Sequence, residues 1–326
     1  MSARHPVGIS FHTADTDVFH GMIKKYFKLL VEAGHECVDD NVVKLSASLA
    51  YYTVFAIGPL LLVVVSFAGL FFEQAEVTDK IYFQVKTLVG SEAATQILSI
   101  INNMRSGSAA KFSVIGIVVL IFGATGVFAD IQESVNFIWS IKAKPKKSWL
   151  KFLKNRLLSF SLIIGIGFLM MVTLTINTLT VALTDRLLRM FDEVAVMVFR
   201  IVNSVILFMI ITFLFAVIYK VLPDAKIRWK DALIGACFTG ILFLIGKFVI
   251  GFYLGNSTIS TTYGAAAAII IILTWVYYTA MILYFGAEFT KVYALNLGGG
   301  IEPYETAVFI IKREAKELPH SSGNEN

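Results

Sequence analysis

Apolar residues run through this chain in blocks long enough to cross a bilayer, and polar positions gather between the blocks. From Phe248 to Ala287, forty consecutive positions carry no charged side chain. A helix needs only about 20 residues to span a hydrocarbon core, so this run holds two helices. The patch Gly255-Asn256-Ser257-Thr258 through Tyr263-Gly264 divides them, and it must lie outside the lipid because unpaired loop backbone is not tolerated inside it. The same reading along the chain predicts six spans, at about 45–72, 112–139, 157–184, 194–219, 232–254 and 264–289. The expected fold is therefore all-α, a polytopic membrane protein with six transmembrane helices.

Shorter patterns flank the spans. From Asp17 to about Gly34, Phe19, Met22, Ile23, Tyr26, Phe27 and Leu30 recur at helical spacing while Lys24, Lys25 and Lys28 take the other face. Such a helix lies on a membrane surface or packs on the protein's own loops. The loop 73–111 has helical starts at Thr78 and Ser91, and two short amphipathic helices resting on the outer surface fit it. Gly58-Pro59 falls near the middle of span one, where proline removes a backbone hydrogen bond and predicts a kink. The chain thus divides into an N-terminal tail and amphipathic helix (1–44), a transmembrane domain (45–294) and a polar C-terminal tail (295–326).

Composition agrees with this layout. Apolar residues make up 57% of the 326, and the mean hydropathy is +0.74. The net charge of +5 is best read loop by loop, because Lys and Arg are enriched on the cytoplasmic side of membrane proteins. The two terminal segments and the 140–156 and 220–231 loops carry twenty Lys and Arg, against six in the three alternate loops. Both termini are therefore expected in the cytoplasm. The most basic loop, at 142–156, is suited to anionic inner-leaflet lipid. Residues 1–20 lack the apolar core of a signal peptide. Cys37 and Cys237 have no CxxC spacing, so neither a disulfide framework nor a zinc site is expected.

Ionisable groups inside spans are the first candidates for function. Lys247 lies seven residues before the outer end of span five, or about 10 Å deep at 1.5 Å per residue. Its stripe, Ala236, Gly240, Phe243, Lys247 and Gly251, is rich in small residues, which mark a packing face. Arg200 lies in the outer half of span four, with Asn203 and Ser204 on its face. Span three presents Thr173, Asn177, Thr180 and Thr184. Three polar stripes at one depth, two of them cationic, would suit a cavity for an anionic group. The bland alternative is that Lys247 and Arg200 extend their stems to the outer headgroups. Near the cytoplasmic ends, Asp130, Glu133 and Glu288 read as interfacial acids paired with lysines, Glu288 with Lys291 three residues on. A proton relay is the sharper alternative for them.

Enzyme chemistry finds little support. All five histidines lie in the terminal segments, and no HExxH, GxSxG or phosphate loop occurs. No cofactor, metal or nucleic-acid partner is expected.

ASLAYYTVFAIGPLLL from Ala47, DIQESVNFIW from Asp130 and YKVLPDAKIRWKDALIGA from Tyr219 are joined by a last pattern, Tyr263-Gly264, Trp275 and Gly286-Ala-Glu288. With Tyr51 and Pro59 in the first of these and Glu133 in the second, the sequence resembles the YihY/BrkB family of bacterial inner-membrane proteins, once labelled ribonuclease BN. The likeness covers most of residues 40–294. It implies a six-helix protein of the bacterial inner membrane with cytoplasmic termini, and by analogy a link to envelope lipids. The ribonuclease label looks like a misassignment, since the His and Asp clusters a nuclease needs are absent.

The expected function is a transporter or binder of an anionic lipid or other envelope component through an outward-facing polar cavity. Lys247, Arg200, Asn177, Asn203, Thr173 and Ser204 would line it. A non-transporting scaffold for an envelope protein partner is the alternative.

Overall fold

The computed structural model describes residues 14–68, 126–144, 193–263 and 266–312, with isolated helical positions at Tyr82, Thr95 and Leu98. Span three and the first half of span two lie outside the described residues, as do the amphipathic helices expected in the 73–111 loop.

Helix α1 (Ala14–Asp39) and α2 (Val42–Ala68) are joined at a tight corner. There Asn41 takes the left-handed conformation, φ 54°, which asparagine tolerates better than most residues. α1 is longer than its sequence pattern, and its packing face differs from the expected one. Leu29 and Ala33 are buried, whereas Tyr26 and Phe27 are exposed. Periodicity identified the helix but not which part of its wide apolar arc meets a neighbour. α2 stays helical across Gly58-Pro59.

Helix α3 (126–138) ends where span two was expected to end. Ser140, at φ 57°, turns the chain into the short strand β1 (Ile141–Ala143). Helix α4 (Glu193–Val221), strand β2 (Ala225–Lys226) and helix α5 (Trp229–Gly255) follow. A polar turn, the short helix α6 (Ile259–Tyr263) and the long helix α7 (Ala267–Asn296) complete the bundle. Among the described residues, three helices are long and apolar enough to cross a membrane, within Ser204–Val221, Trp229–Leu254 and Ile269–Asn296. α7 is the central helix and packs on α5, α2 and α1.

The close approach of α5 to α7 depends on glycine. A Cβ on Gly235 would stand 1.9 Å from Thr290 Oγ1, and one on Gly286 would stand 1.9 Å from Thr239 Oγ1. Small residues let backbones meet this closely in a membrane, where apolar burial alone gives helices little reason to associate. Both threonines satisfy their hydroxyls within their own helix, Thr239 on the Gly235 carbonyl at 2.7 Å and Thr290 on that of Gly286 at 2.6 Å. Tyr219 of α4 ties the third helix in: its hydroxyl lies 2.9 Å from Thr239 Oγ1 and donates to the Leu283 carbonyl at 2.8 Å.

After α7 the segment expected as a polar tail forms a strap as far as Lys312. Gly300, at φ 79°, reverses the chain. Strand β3 (Glu302–Pro303) then pairs antiparallel with β2, and β4 (Ala307–Phe309) with β1 in the register Ile141↔Phe309 to Ala143↔Ala307. These strands are too short to leave a period in the sequence, and their register comes from the loops they join. The strap gathers the loops after α3 and α4, with the α1–α2 corner beside it, at one end of the bundle, the strap end. The turn between α5 and α7 lies at the far end.

Candidate functional site

The strap end holds a buried cluster of charge built on one stripe of α7. Tyr284, Glu288 and Lys291 stand four and three residues apart, so one helix face presents all three. The Glu288 side chain is 0% exposed, and Lys291 Nζ lies 3.1 Å from its Oε2. The pair is thus the one its spacing predicts, with its carboxylate fully buried in the protein. Lys291 also reaches Glu36 Oε2 at 2.5 Å and Asp40 Oδ2 at 3.8 Å. Asp40 is the residue just before the left-handed Asn41, so the corner itself aims this carboxylate inward, where it is 3% exposed. Lys312, brought back by the strap, pairs with Asp40, donates to the Ile138 carbonyl at 3.4 Å and lies over the Phe137 ring.

Oxygens of Glu36, Asp40 and Glu288 lie within 4.8 Å of one another, a spacing compatible with a cation. Lys291 already supplies positive charge to all three. Glu288 Oε1 remains without a hydrogen-bond partner among the described residues.

Cys37 sits beside this cluster. Burial, followed by the charges of Glu288, Asp40 and Glu36 and opposed by Lys291, pushes its thiol up from 9.0 to about 12. Folding favours the protonated thiol, so this contribution to stability is complete below pH 9 and is lost as pH rises toward 12. At pH 8, alkylation of Cys37 is expected to be slower than in urea-unfolded protein by a factor on the order of a thousand, because the thiolate is the reacting form. Mass spectrometry of a timed iodoacetamide reaction measures this; equal rates in the two states would contradict it.

A second polar contact crosses α2, α3 and α7. Ser48 donates to Asp130 Oδ1 at 2.6 Å, and the Tyr284 hydroxyl donates to Oδ2 at 3.4 Å. Among the described residues these two hydroxyls are the hydrogen-bond partners of Asp130. Glu133 is exposed. A third contact fastens the loop after α4: Asn136 Nδ2 donates to Asp224 Oδ2 at 3.0 Å, and Asn136 Oδ1 accepts from the Asp224 amide at 2.8 Å.

Toward the far end, Lys247 is half-buried on α5 and has no ion-pair or hydrogen-bond partner among the described residues. Its stripe changes character along the helix. Ala236 and Gly240 are packed, a Cβ on Gly240 meeting Thr212 and Phe208 of α4, whereas a Cβ on Gly251 would meet nothing within 4 Å among the described residues. Phe248 and Phe252 beside it are 78% and 69% exposed.

Arg200 and Asn203 belong to α4, but their side chains lie outside the described residues. Ser204 is exposed. Extending the α4–α5 contacts outward at equal rise brings residues about 200–207 of α4 alongside residues about 247–254 of α5. Thr173, Asn177, Thr180 and Thr184 all lie outside the described residues. Of the other singled-out positions, Tyr51 and Tyr263 are exposed, Trp275 packs on Ile250, Leu254 and Ile271, and Gly264 is outside the described residues. Pro59 lies within α2, and its side chain is outside the described residues.

Glu36, Asp40, Lys312, Ser48 and Tyr284 were missed by sequence reasoning. The spacing of Tyr284, Glu288 and Lys291 was an available signal, and so was the Asp-Asp-Asn sequence ending α1.

The chain matches the family model described as virulence factor BrkB over residues 33–307. It is 26% identical over 273 residues to a UPF0761 membrane protein of Nitrosospira multiformis, covering 83% of this chain and 59% of that protein. A UPF0761 membrane protein of Xanthomonas campestris is 29% identical over 255 residues, or 77% of this chain and 57% of its own. One from Psychromonas ingrahamii is 28% identical over 277 residues, covering 82% of this chain and 88% of the relative. The chain thus spans less than two thirds of the length of the first two. No solved structure matches it.

Proposed function

This chain belongs to the virulence factor BrkB family, and from that membership in a family of membrane proteins we propose that it binds, and moves between environments, an anionic lipid headgroup at the far end of α4 and α5. The observation that carries this reading is Lys247. A lysine in the interior of a spanning helix costs about 2.5–3.5 kcal/mol on insertion scales, and no described carboxylate offsets it. One turn along, no described residue lies within 4 Å of where a Cβ on Gly251 would stand, and exposed phenylalanines flank the ammonium. A diacyl anion meets both demands, with its phosphate at Nζ and its chains along Phe248 and Phe252. Arg200 and Asn203, in the outer half of α4, would add charge and hydrogen bonds; Ser204, Asn177 and Thr173 would complete the polar wall.

In this reading the protein is a six-span protein of the bacterial inner membrane and not an enzyme. The strap end, which gathers the Lys-rich loops, faces the cytoplasm, and the Lys247 region opens toward the outer leaflet. Native mass spectrometry of gently extracted protein tests it. The wild type is expected to retain one anionic lipid class, and Lys247→Ala to lose it at least tenfold. The same unselective lipids on both proteins would make Lys247 structural and leave a membrane scaffold as the better account.

A further inference from the structure

We propose that Asp40 and Glu288 form a proton-binding site at the strap end, one proton being held between two buried carboxyl groups. This stands apart from the lipid site and does not depend on it. The charged groups that face one another here are Glu36 and Asp40 from α1 and its corner, Glu288 and Lys291 from α7, and Lys312 from the strap. Glu36 is 40% exposed and keeps its charge against solvent, whereas Asp40 and Glu288 are buried with carboxylate oxygens within 4.8 Å of one another, and two like charges so placed make each other costly to ionise. Cys37, also in this cluster, is a protonated thiol and contributes no charge. α2 brings no buried charge, since Lys44 is exposed, and α3 brings the Ile138 carbonyl.

Geometry says where a proton belongs. Both ammoniums are engaged, yet Glu288 Oε1, fully buried, has no donor. An Asp40 oxygen lies within 4.8 Å of one of Glu288, and two ionised carboxylates this close and this buried repel. A single proton relieves the repulsion: one carboxyl donates and the other accepts. Because Asp40 lies at the end of α1 and Glu288 on α7, the proton is also what lets α1 stay docked. Its removal places two adjacent negative charges across that contact and weakens it, so binding of the proton is linked to the position of the N-terminal helix.

Infrared spectroscopy of the full chain in lipid nanodiscs at pH 7 tests the site. A carboxylic C=O band that shifts in heavy water is expected in the wild type. It should fall by the intensity of about one acid group per chain in both Glu288→Gln and Asp40→Asn, each of which removes one of the two carboxyls that share the proton. Glu133→Gln, at an exposed acid, should leave it unchanged. If either variant fails to fold, ¹³C-carboxyl labelling of glutamate and of aspartate in the wild type decides, since the band must then move with one of the two labels. Absence of the band from the wild type, or its persistence in both folded variants, would overturn the proposal. So would manganese binding at one ion per chain that abolishes the band, because the occupant would then be a cation.

Discussion

Replacing Lys291 with Met is expected to cost about 3–5 kcal/mol, the range for removing one partner of a buried ion pair. Lys291 is the one group that touches all three acids of the cluster, and its side chain is only 10% exposed. Methionine preserves the stem volume and removes the charge. Glu288, with no exposure to solvent, is then left beside Asp40 with no cation of its own. Protonation can relieve that repulsion, so the loss should be greatest at alkaline pH and shrink as pH falls. Thermal unfolding of detergent-purified protein, scored by near-UV circular dichroism at pH 6 and pH 9, measures both features. Lys312→Met is expected to be milder because that side chain is 27% exposed and solvent screens what remains. Near-wild-type stability of Lys291→Met at pH 9 would contradict this account of the strap end.

Gly286→Val is expected to prevent α5 and α7 from meeting. Even the first added carbon would stand 1.9 Å from Thr239 Oγ1 and 2.5 Å from the Tyr219 hydroxyl. Neither group is a free side-chain tip that can swing aside. Thr239 is held on the Gly235 carbonyl and Tyr219 on that of Leu283, so relief means shifting a helix and breaking buried hydrogen bonds. Overpacking alone costs about 1–3 kcal/mol, and each buried polar group left unsatisfied adds about 1–3 kcal/mol. Little monodisperse protein should be recovered after extraction. Gly251→Ala, where nothing lies within 4 Å, should behave as wild type. Equal recovery of the two variants would show that the α5–α7 contact is looser than described.

The long helices were legible because their apolar runs leave no other reading: α4, α5 and α7 begin and end within a few residues of the expected spans, except that α7 continues to Asn296. That extension follows from packing. Glu288 and Lys291 look like the end of a span when read along the chain, but α1 and the strap cover them and let the helix go on. The charge cluster was legible only in half. The pair three residues apart on one helix could be read locally, whereas Glu36 and Asp40 meet it across some 250 residues of sequence, and no spacing rule reaches that far. The two strap strands, two and three residues long, carry no period to detect. Lys247 was singled out by its charge, and the structure adds the open space at Gly251, which no sequence pattern encodes.

The most direct test of the lipid-binding reading uses that open space. A photo-crosslinking amino acid at position 251, activated in native membranes, labels whatever lies one turn from Lys247, and mass spectrometry identifies the lipid attached. Binding of an anionic headgroup predicts adducts dominated by anionic lipid well beyond its share of the membrane, and loss of that enrichment when Lys247→Ala is added. Adducts in bulk proportion, unchanged by Lys247→Ala, would contradict it.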